Sequence, residues 1–130
     1  MSWNCRGIGS VLKEEAMKDI VRTYKPDILL VQETKMEDTV LLQAGKRFWK
    51  KGPGKAVSSR GDFGGLATFW DVAVYDLISE ESTMHWIFTK LTHKETGYQV
   101  SLFNLYVPVM LSEKQECWNS LDSFLSMQTP

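Results

Sequence analysis

Three polar residues stand where apolar stretches of the sequence end. Asn4 follows a short stub at the start of the chain, Glu33 follows the apolar run 27–32, and Tyr106 closes the segment 98–107. In layered α/β folds, ligands bind in the crevice outside the carboxyl ends of the strands. If these stretches are strands, the three residues are candidates for one site.

The residue types suit phosphate and metal chemistry. Mg²⁺ prefers oxygen ligands, keeps several waters and takes only one or two carboxylates from a protein, so Glu33 alone could anchor it. The Asn4 amide offers a donor and an acceptor, and the Tyr106 hydroxyl can donate to a phosphoryl oxygen. A single strand-end glutamate is also compatible with an exposed carboxylate or with a cap of the following helix.

The first third of the chain predicts a β-α-β unit that would bring Asn4 and Glu33 together. After Ser10, a candidate N-cap, apolar residues recur at every fourth position from Leu12 to Tyr24, and Lys25-Pro26 ends the helix. The run 27–32 reads as a buried strand. Strands joined in this way lie parallel by a right-handed crossover, so their ends share one edge of the sheet.

The rest of the chain predicts further strands and a last helix. Residues 36–48 are weakly helical, and residues 50–60 read as a loop. Strands are predicted over 66–70, 72–79, 84–91 and 98–107, with a hairpin turn at 94–97. After Pro108, Ser112 and Gln115 fit a capping box, and one helical face carries Cys117, Leu121, Phe124 and Leu125.

Composition limits the classes of function. With 130 residues, 43% hydrophobic content and a formal net charge of -1, the chain suits one ordinary domain without a general attraction to nucleic acid. The longest apolar run, 28–31, is too short for a membrane span, and no signal peptide is visible. We therefore expect a nuclear or cytoplasmic protein without a membrane partner. Cys5 and Cys117 are far apart and are expected to be reduced thiols.

Four blocks of residues carry a resemblance to a known family. In order along the chain they are Ser2-Trp3-Asn4-Cys5-Arg6-Gly7, residues 26–35 ending in Gln32-Glu33-Thr34-Lys35, Gly64-Gly65-Leu66-Ala67 with Trp70, and Asn104-Leu105-Tyr106-Val107-Pro108 followed by Lys114 and Trp118. In this order and spacing they resemble the N-terminal part of the endonuclease/exonuclease/phosphatase superfamily. The wording of the first and last blocks is most similar to the endonuclease domain of plant LINE-type retroelements.

The resemblance implies a fold and a set of roles. It implies an α/β protein that forms part of a four-layer sandwich, two β-sheets flanked by helices, with the C-terminal half missing and residues 1–130 as a single partial domain. It also implies that Glu33 binds Mg²⁺, that Asn4 and Tyr106 act catalytically next to the phosphate, and that DNA is the partner, with no small-molecule cofactor.

Two later motifs of the family, Asp-x-Asn and Ser-Asp-His, are not found in the sequence. None of the asparagines lies two positions after an aspartate, and His85 and His93 follow Met84 and Thr92. We interpret Gly61-Asp62-Phe63-Gly64, which is similar to Gly-Asp-x-Asn, as the loop before a strand. The histidines are then expected to lie in a strand and in a turn.

These observations leave three functions open. The first is a truncated Mg²⁺-dependent DNA endonuclease domain of retroelement origin that is inactive alone. The second is a phosphatase of the same superfamily acting on inositol phosphates, lipids or RNA tails, and the third is a non-catalytic retroelement remnant. A basic cluster, formed by Lys46, Arg47, Lys50, Lys51, Lys55 and Arg60, could contact a DNA backbone or be merely solvated, and the tryptophans Trp49, Trp70, Trp86 and Trp118 are expected in the core.

Overall fold

The computed structural model describes residues 1–9, 11–60, 63–108 and 111–128. Within these residues the chain forms, in order, β1 (Ser2–Asn4), α1 (Val11–Tyr24), β2 (Ile28–Gln32), α2 (Asp38–Phe48), β3 (Lys55–Arg60), β4 (Phe63–Trp70), β5 (Tyr75–Ser82), β6 (Trp86–His93), β7 (Gln99–Leu105) and α3 (Leu111–Gln128). The predicted cap at Ser10 and the Gly61-Asp62 part of the predicted loop lie outside the described residues.

The first sheet begins with the predicted β-α-β unit. Strands β1 and β2 are parallel neighbours, with Asn4 opposite Gln32, and α1 crosses between them. Strand β4 pairs antiparallel with β2 and β3 pairs antiparallel with β4, which gives the order β1-β2-β4-β3. The carboxyl ends of β1 and β2 therefore share one edge of the sheet, as the sequence predicted.

The second sheet is a meander in the order β5-β6-β7. The predicted hairpin turn joins β6 to β7, and Gly97 adopts the left-handed conformation there, with a φ of 74°. Helix α3 covers the outer face through ring contacts among Trp86, Phe88, Phe103 and Phe124. With α1 and α2 against the first sheet, the chain shows the expected two-sheet α/β sandwich with helices outside.

Two predictions for the first 60 residues were wrong. Residues 55–60 form strand β3 and not a loop, because pairing with β4 and burial of Ala56 outweigh the low strand preference of lysine and serine. On α1, Leu12 and Tyr24 are exposed, and Met17 faces the core with Val21 beside it. A row of every fourth residue winds about 40° per step around a helix, so it leaves the buried face within three steps.

Most of the tryptophans that were predicted to lie in the core do so. Trp49, Trp70 and Trp86 are buried as expected, whereas Trp118 on α3 is about half-exposed. Helix α3 starts one residue before the predicted capping serine, and Leu125 is exposed while Cys117 and Phe124 are buried. Across the described ranges, no helix combines the length and apolar character that a membrane crossing requires.

A glycine pair at the start of β4 fits closely against the end of β2. Gly65 has a φ of 89°, and a Cβ built on it would lie 2.1 Å from Thr34 Oγ1 and 3.0 Å from the backbone nitrogen of Lys35. Only a residue without a side chain allows this approach in this backbone conformation. The segment after β2 therefore depends on Gly65.

We expect Gly65→Ala to lower the free energy of unfolding by about 3 kcal/mol, because a left-handed alanine is strained and its Cβ would collide with Thr34. Urea unfolding followed by tryptophan fluorescence measures the change. The matched control is Gly9→Ala, since a Cβ at Gly9 meets nothing within 4 Å. Equal stability of the two variants would contradict the close fit.

Candidate functional site

A single open pocket collects the ends of β1, β2 and β7. It has a volume of about 390 Å³. Its lining consists of Ser2, Asn4, Leu30, Gln32, Glu33, Phe103, Leu105, Tyr106 and Val107. The structure thus brings the three candidate residues Asn4, Glu33 and Tyr106 to one cavity between the two sheets.

The turn after β2 holds Glu33 in an unusual backbone conformation. Glu33 and Lys35 are both left-handed, with φ values of 55° and 57°. Such residues persist only where the surroundings over-determine them, and they cluster at functional sites. Arg6, in the loop after β1, is also left-handed, with a φ of 51°. Three of the four non-glycine residues with positive φ in the described chain therefore lie next to or within the pocket lining, and the fourth, Lys25, follows α1.

Hydrogen bonds from two sides fix this turn. The loop after β1 donates from the backbone of Gly7 to the carbonyl of Glu33 at 2.6 Å and from Ile8 to the carbonyl of Thr34 at 3.1 Å. On the other side, the carbonyls of the glycine pair that opens β4 accept from the backbone nitrogens of Thr34 and Lys35. The backbone of Glu33 and its neighbours is therefore held by two other segments of the chain.

Tyr106 reaches the pocket from the second sheet. Its backbone nitrogen donates to the carbonyl of His85 at 2.8 Å, and its ring lies against Gly64, where a Cβ would be 3.6 Å from two ring carbons. Burial, and then the negative charges of Glu33 and Glu113, raise the pKa of the Tyr106 phenol above its ordinary value. The hydroxyl therefore keeps its proton at neutral pH and can act as a hydrogen-bond donor.

The polar ends of the three candidate residues are free in the described part of the chain. No hydrogen bond or ion pair among these residues engages the Glu33 carboxylate, the Asn4 side-chain amide or the Tyr106 hydroxyl. Their neighbours differ, because Ser2 and Gln32 bond each other and Gln32 donates to Asn104 at 2.8 Å. These groups are open to solvent and are available to a ligand from outside the chain.

Three of the six residues of the basic cluster have acidic partners. Arg47 pairs with Glu14, Lys55 with Glu80 at 3.5 Å, and Arg60 with Glu113 at 3.8 Å. Lys51 donates to the carbonyl of Pro26 and lies over the Trp49 ring.

The sequence reasoning gave no role to two cations, Arg6 and Lys35, that stand close to the pocket residues in the chain. Arg6 and Lys35 are exposed, and no ion pair among the described residues involves either of them. A Cβ on Gly7 would lie 3.5 Å from the Lys35 side chain, so Lys35 lies against the loop that carries Arg6. Their positions next to Asn4 and Glu33 in the sequence were the available clue.

The donor set favours a hard cation over a zinc ion. In the described ranges, no three His, Cys, Asp or Glu side chains are grouped so that they could hold a metal ion. His85 is buried ahead of β6, and His93 accepts a hydrogen bond within the hairpin. Burial raises the pKa of both cysteine thiols. The Glu33 carboxylate and the Asn4 amide oxygen in a wet pocket fit Mg²⁺, which takes one or two protein carboxylates and keeps its waters.

Solved structures of DNA-processing enzymes share this fold. An AP endonuclease from Leishmania major superposes with a TM-score of 0.67 at 17% identity and covers 95% of this chain and 45% of its own. An AP endonuclease from Archaeoglobus fulgidus gives 0.63 at 21% identity, with 99% and 51% covered. TDP2 of D. rerio, in complex with a single-strand DNA product, gives 0.66 at 14% identity, with 99% and 54% covered.

The chain spans about half the length of these structures. No curated protein sequence matches it. The sequence pattern of the Endonuclease/Exonuclease/phosphatase family matches residues 1–120, and the chain therefore belongs to that family.

Proposed function

We propose that residues 1–130 form part of a Mg²⁺-dependent DNA endonuclease domain of the LINE retroelement type and carry its metal-binding glutamate. The observation that supports this most is the convergence of Asn4, Glu33 and Tyr106, with unpaired polar ends, in one pocket of a chain from this family. Neither a structural carboxylate nor a helix cap explains why Glu33 stands in a strained turn facing that pocket.

Each of the three residues has a role in phosphodiester hydrolysis that suits its surroundings. Glu33, with the Asn4 amide oxygen, would hold Mg²⁺, which when bound polarises a phosphoryl oxygen. The Asn4 amide nitrogen is free to orient the phosphate. Tyr106 carries a proton at neutral pH because its pKa is raised, so its hydroxyl donates to the negative charge that develops on a phosphoryl oxygen.

DNA is the favoured substrate because cations flank the pocket. The structural neighbours include AP endonucleases and a protein in complex with a DNA product. Arg6 and Lys35, the rim cations, each come two residues after a pocket residue, Asn4 or Glu33. They are exposed and have no acidic partner among the described residues, so they are available to neighbouring phosphates of a nucleic-acid strand. The retroelement assignment rests on the Trp3-Asn4-Cys5-Arg6-Gly7 and Asn104-Leu105-Tyr106-Val107-Pro108 wording.

We further propose that the 130-residue chain does not cleave DNA alone. In-line hydrolysis needs an activated water and a metal in fixed geometry, and the Asp-x-Asn and Ser-Asp-His motifs that supply further groups in the family are not found in this sequence. The pocket offers one carboxylate. Its residues can bind metal and phosphate, whereas no side chain in it is placed to activate water.

One prediction of this proposal concerns DNA binding. The double variant Arg6→Ala/Lys35→Ala should bind a short labelled oligonucleotide more weakly than the parent in Mg²⁺. In a plot of the logarithm of the binding constant against the logarithm of the salt concentration, its slope should be shallower by about 2, one for each lost phosphate contact. Fluorescence anisotropy across a salt series measures both. The control is Lys46→Ala/Lys50→Ala, which removes the same charge from the basic cluster. If the control has the same effect as the rim variant, binding is non-specific and the rim has no special role.

Another prediction of this proposal concerns cleavage. The purified chain should not relax supercoiled plasmid DNA above background with or without Mg²⁺, since the loss of each member of a catalytic unit costs on the order of 10³-fold. The comparison is Glu33→Ala, with Glu95→Ala in the exposed hairpin turn as the matched glutamate control. Nicking that needs Mg²⁺ and Glu33 but not Glu95 would contradict the proposed inactivity and would mean that another side chain activates the water.

A further inference from the structure

A buried asparagine connects the two sheets directly behind the pocket. Asn104 on β7 is 1% exposed. Its Nδ2 donates to the carbonyl oxygens of Ala67 and Val31 at 2.8 and 3.2 Å, with Thr68 Oγ1 at 3.3 Å, and its Oδ1 accepts from Gln32 at 2.8 Å. Because carbonyl oxygens can only accept, the orientation of the amide is defined by its partners.

These bonds differ in kind from the other contacts between the sheets. In the part of the chain that the structure describes, the buried side-chain hydrogen bonds that cross between the sheets all start or end at Asn104. The remaining buried contacts there are mainly apolar, and apolar contact has no preferred direction, so it fixes the register of the two sheets less specifically than a hydrogen bond does. Hydrogen bonds restrict both distance and angle. Asn104 therefore sets the relative position of the sheets at this end.

The register places this connection at the same distance from two site residues. Asn104 lies two residues before Tyr106, and Val31, whose carbonyl it binds, lies two residues before Glu33. Each site residue therefore comes two residues after the connection, just past the end of its own strand. If β2 and β7 moved relative to each other at Asn104, the distance between Glu33 and Tyr106 would therefore change by a similar amount.

We propose that Asn104 is a positioning residue that sets the distance between Glu33 on the first sheet and Tyr106 on the second. Gln32 supports it from the pocket side by holding the Oδ1 atom. The catalytic meaning of that distance rests on the proposed function, whereas the positioning itself does not. The requirement for two donors facing two carbonyls explains why a polar residue occupies this buried place in β7.

The test measures the geometry without any activity. A nitroxide attached to Lys35→Cys labels the first sheet beside Glu33, and paramagnetic broadening, which falls steeply with distance, is read at the backbone amides of Tyr106 and of Asn4. The native cysteines are buried and should not react. Asn104→Leu keeps the size of the side chain and removes the donors. The matched control is Thr89→Val, because Thr89 is buried, is placed by strand alternation on the same face as Asn104, and has an unpartnered hydroxyl.

In the parent and in Thr89→Val, both amides should be strongly broadened. In Asn104→Leu, most of the broadening at Tyr106 should be lost or become heterogeneous, while that at Asn4, on the labelled sheet, is kept. Unchanged broadening at Tyr106 in folded Asn104→Leu would overturn the proposal. If this variant does not fold, Gln32→Leu decides: partial loss at Tyr106 supports the proposal and no change overturns it. If the parent chain does not bind DNA, but Asn104→Leu still loses the broadening at Tyr106, the proposed function is refuted and the positioning role of Asn104 stands.

Discussion

The candidate site depends on the left-handed turn from Glu33 to Lys35 at the end of β2. Two non-glycine residues in this conformation cost on the order of 1–3 kcal/mol each, so the turn must be held by its surroundings. Backbone donors from the loop after β1 hold it on one side, and the carbonyls of Gly64 and Gly65 hold it on the other. The result is that Glu33 faces the pocket and does not continue the strand.

The same turn explains why distant segments share one site. Gly65 must lack a side chain to approach Thr34. Its neighbour Gly64 lies against the ring of Tyr106, which follows β7 of the second sheet. Asn4 ends the strand next to β2, so the loop that follows it is the one that reaches the Glu33 carbonyl. The same residues therefore determine the geometry of the pocket and the stability of the fold. This is expected because packing and hydrogen bonds from these residues hold the strained turn in place.

Local patterns predicted the elements whose determinants are local. The β-α-β unit, the hairpin at Gly97 and the three strand-end residues could be inferred because periodicity, breakers and strand ends are visible in the sequence. Strand β3 could not, since it exists by pairing with β4 against the preference of its own residues. The buried face of α1 was misassigned because spacing alone does not reveal which row of the helix meets the sheet, and Met17 does so. Partners that neutralise the basic cluster and the inter-sheet bonds of Asn104 arise from tertiary contacts that no window of sequence contains.

The central claim is that the pocket shared by Asn4, Glu33 and Tyr106 is a divalent-metal and phosphate site. The most direct test is anomalous diffraction from crystals of the chain soaked in Mn²⁺, compared with crystals of Glu33→Gln treated in the same way. The account predicts a Mn²⁺ peak bonded to the Glu33 carboxylate in the pocket that also holds Asn4 and Tyr106, and no such peak in the variant. A pocket without Mn²⁺, or an ion bound in the same place in Glu33→Gln, would contradict it.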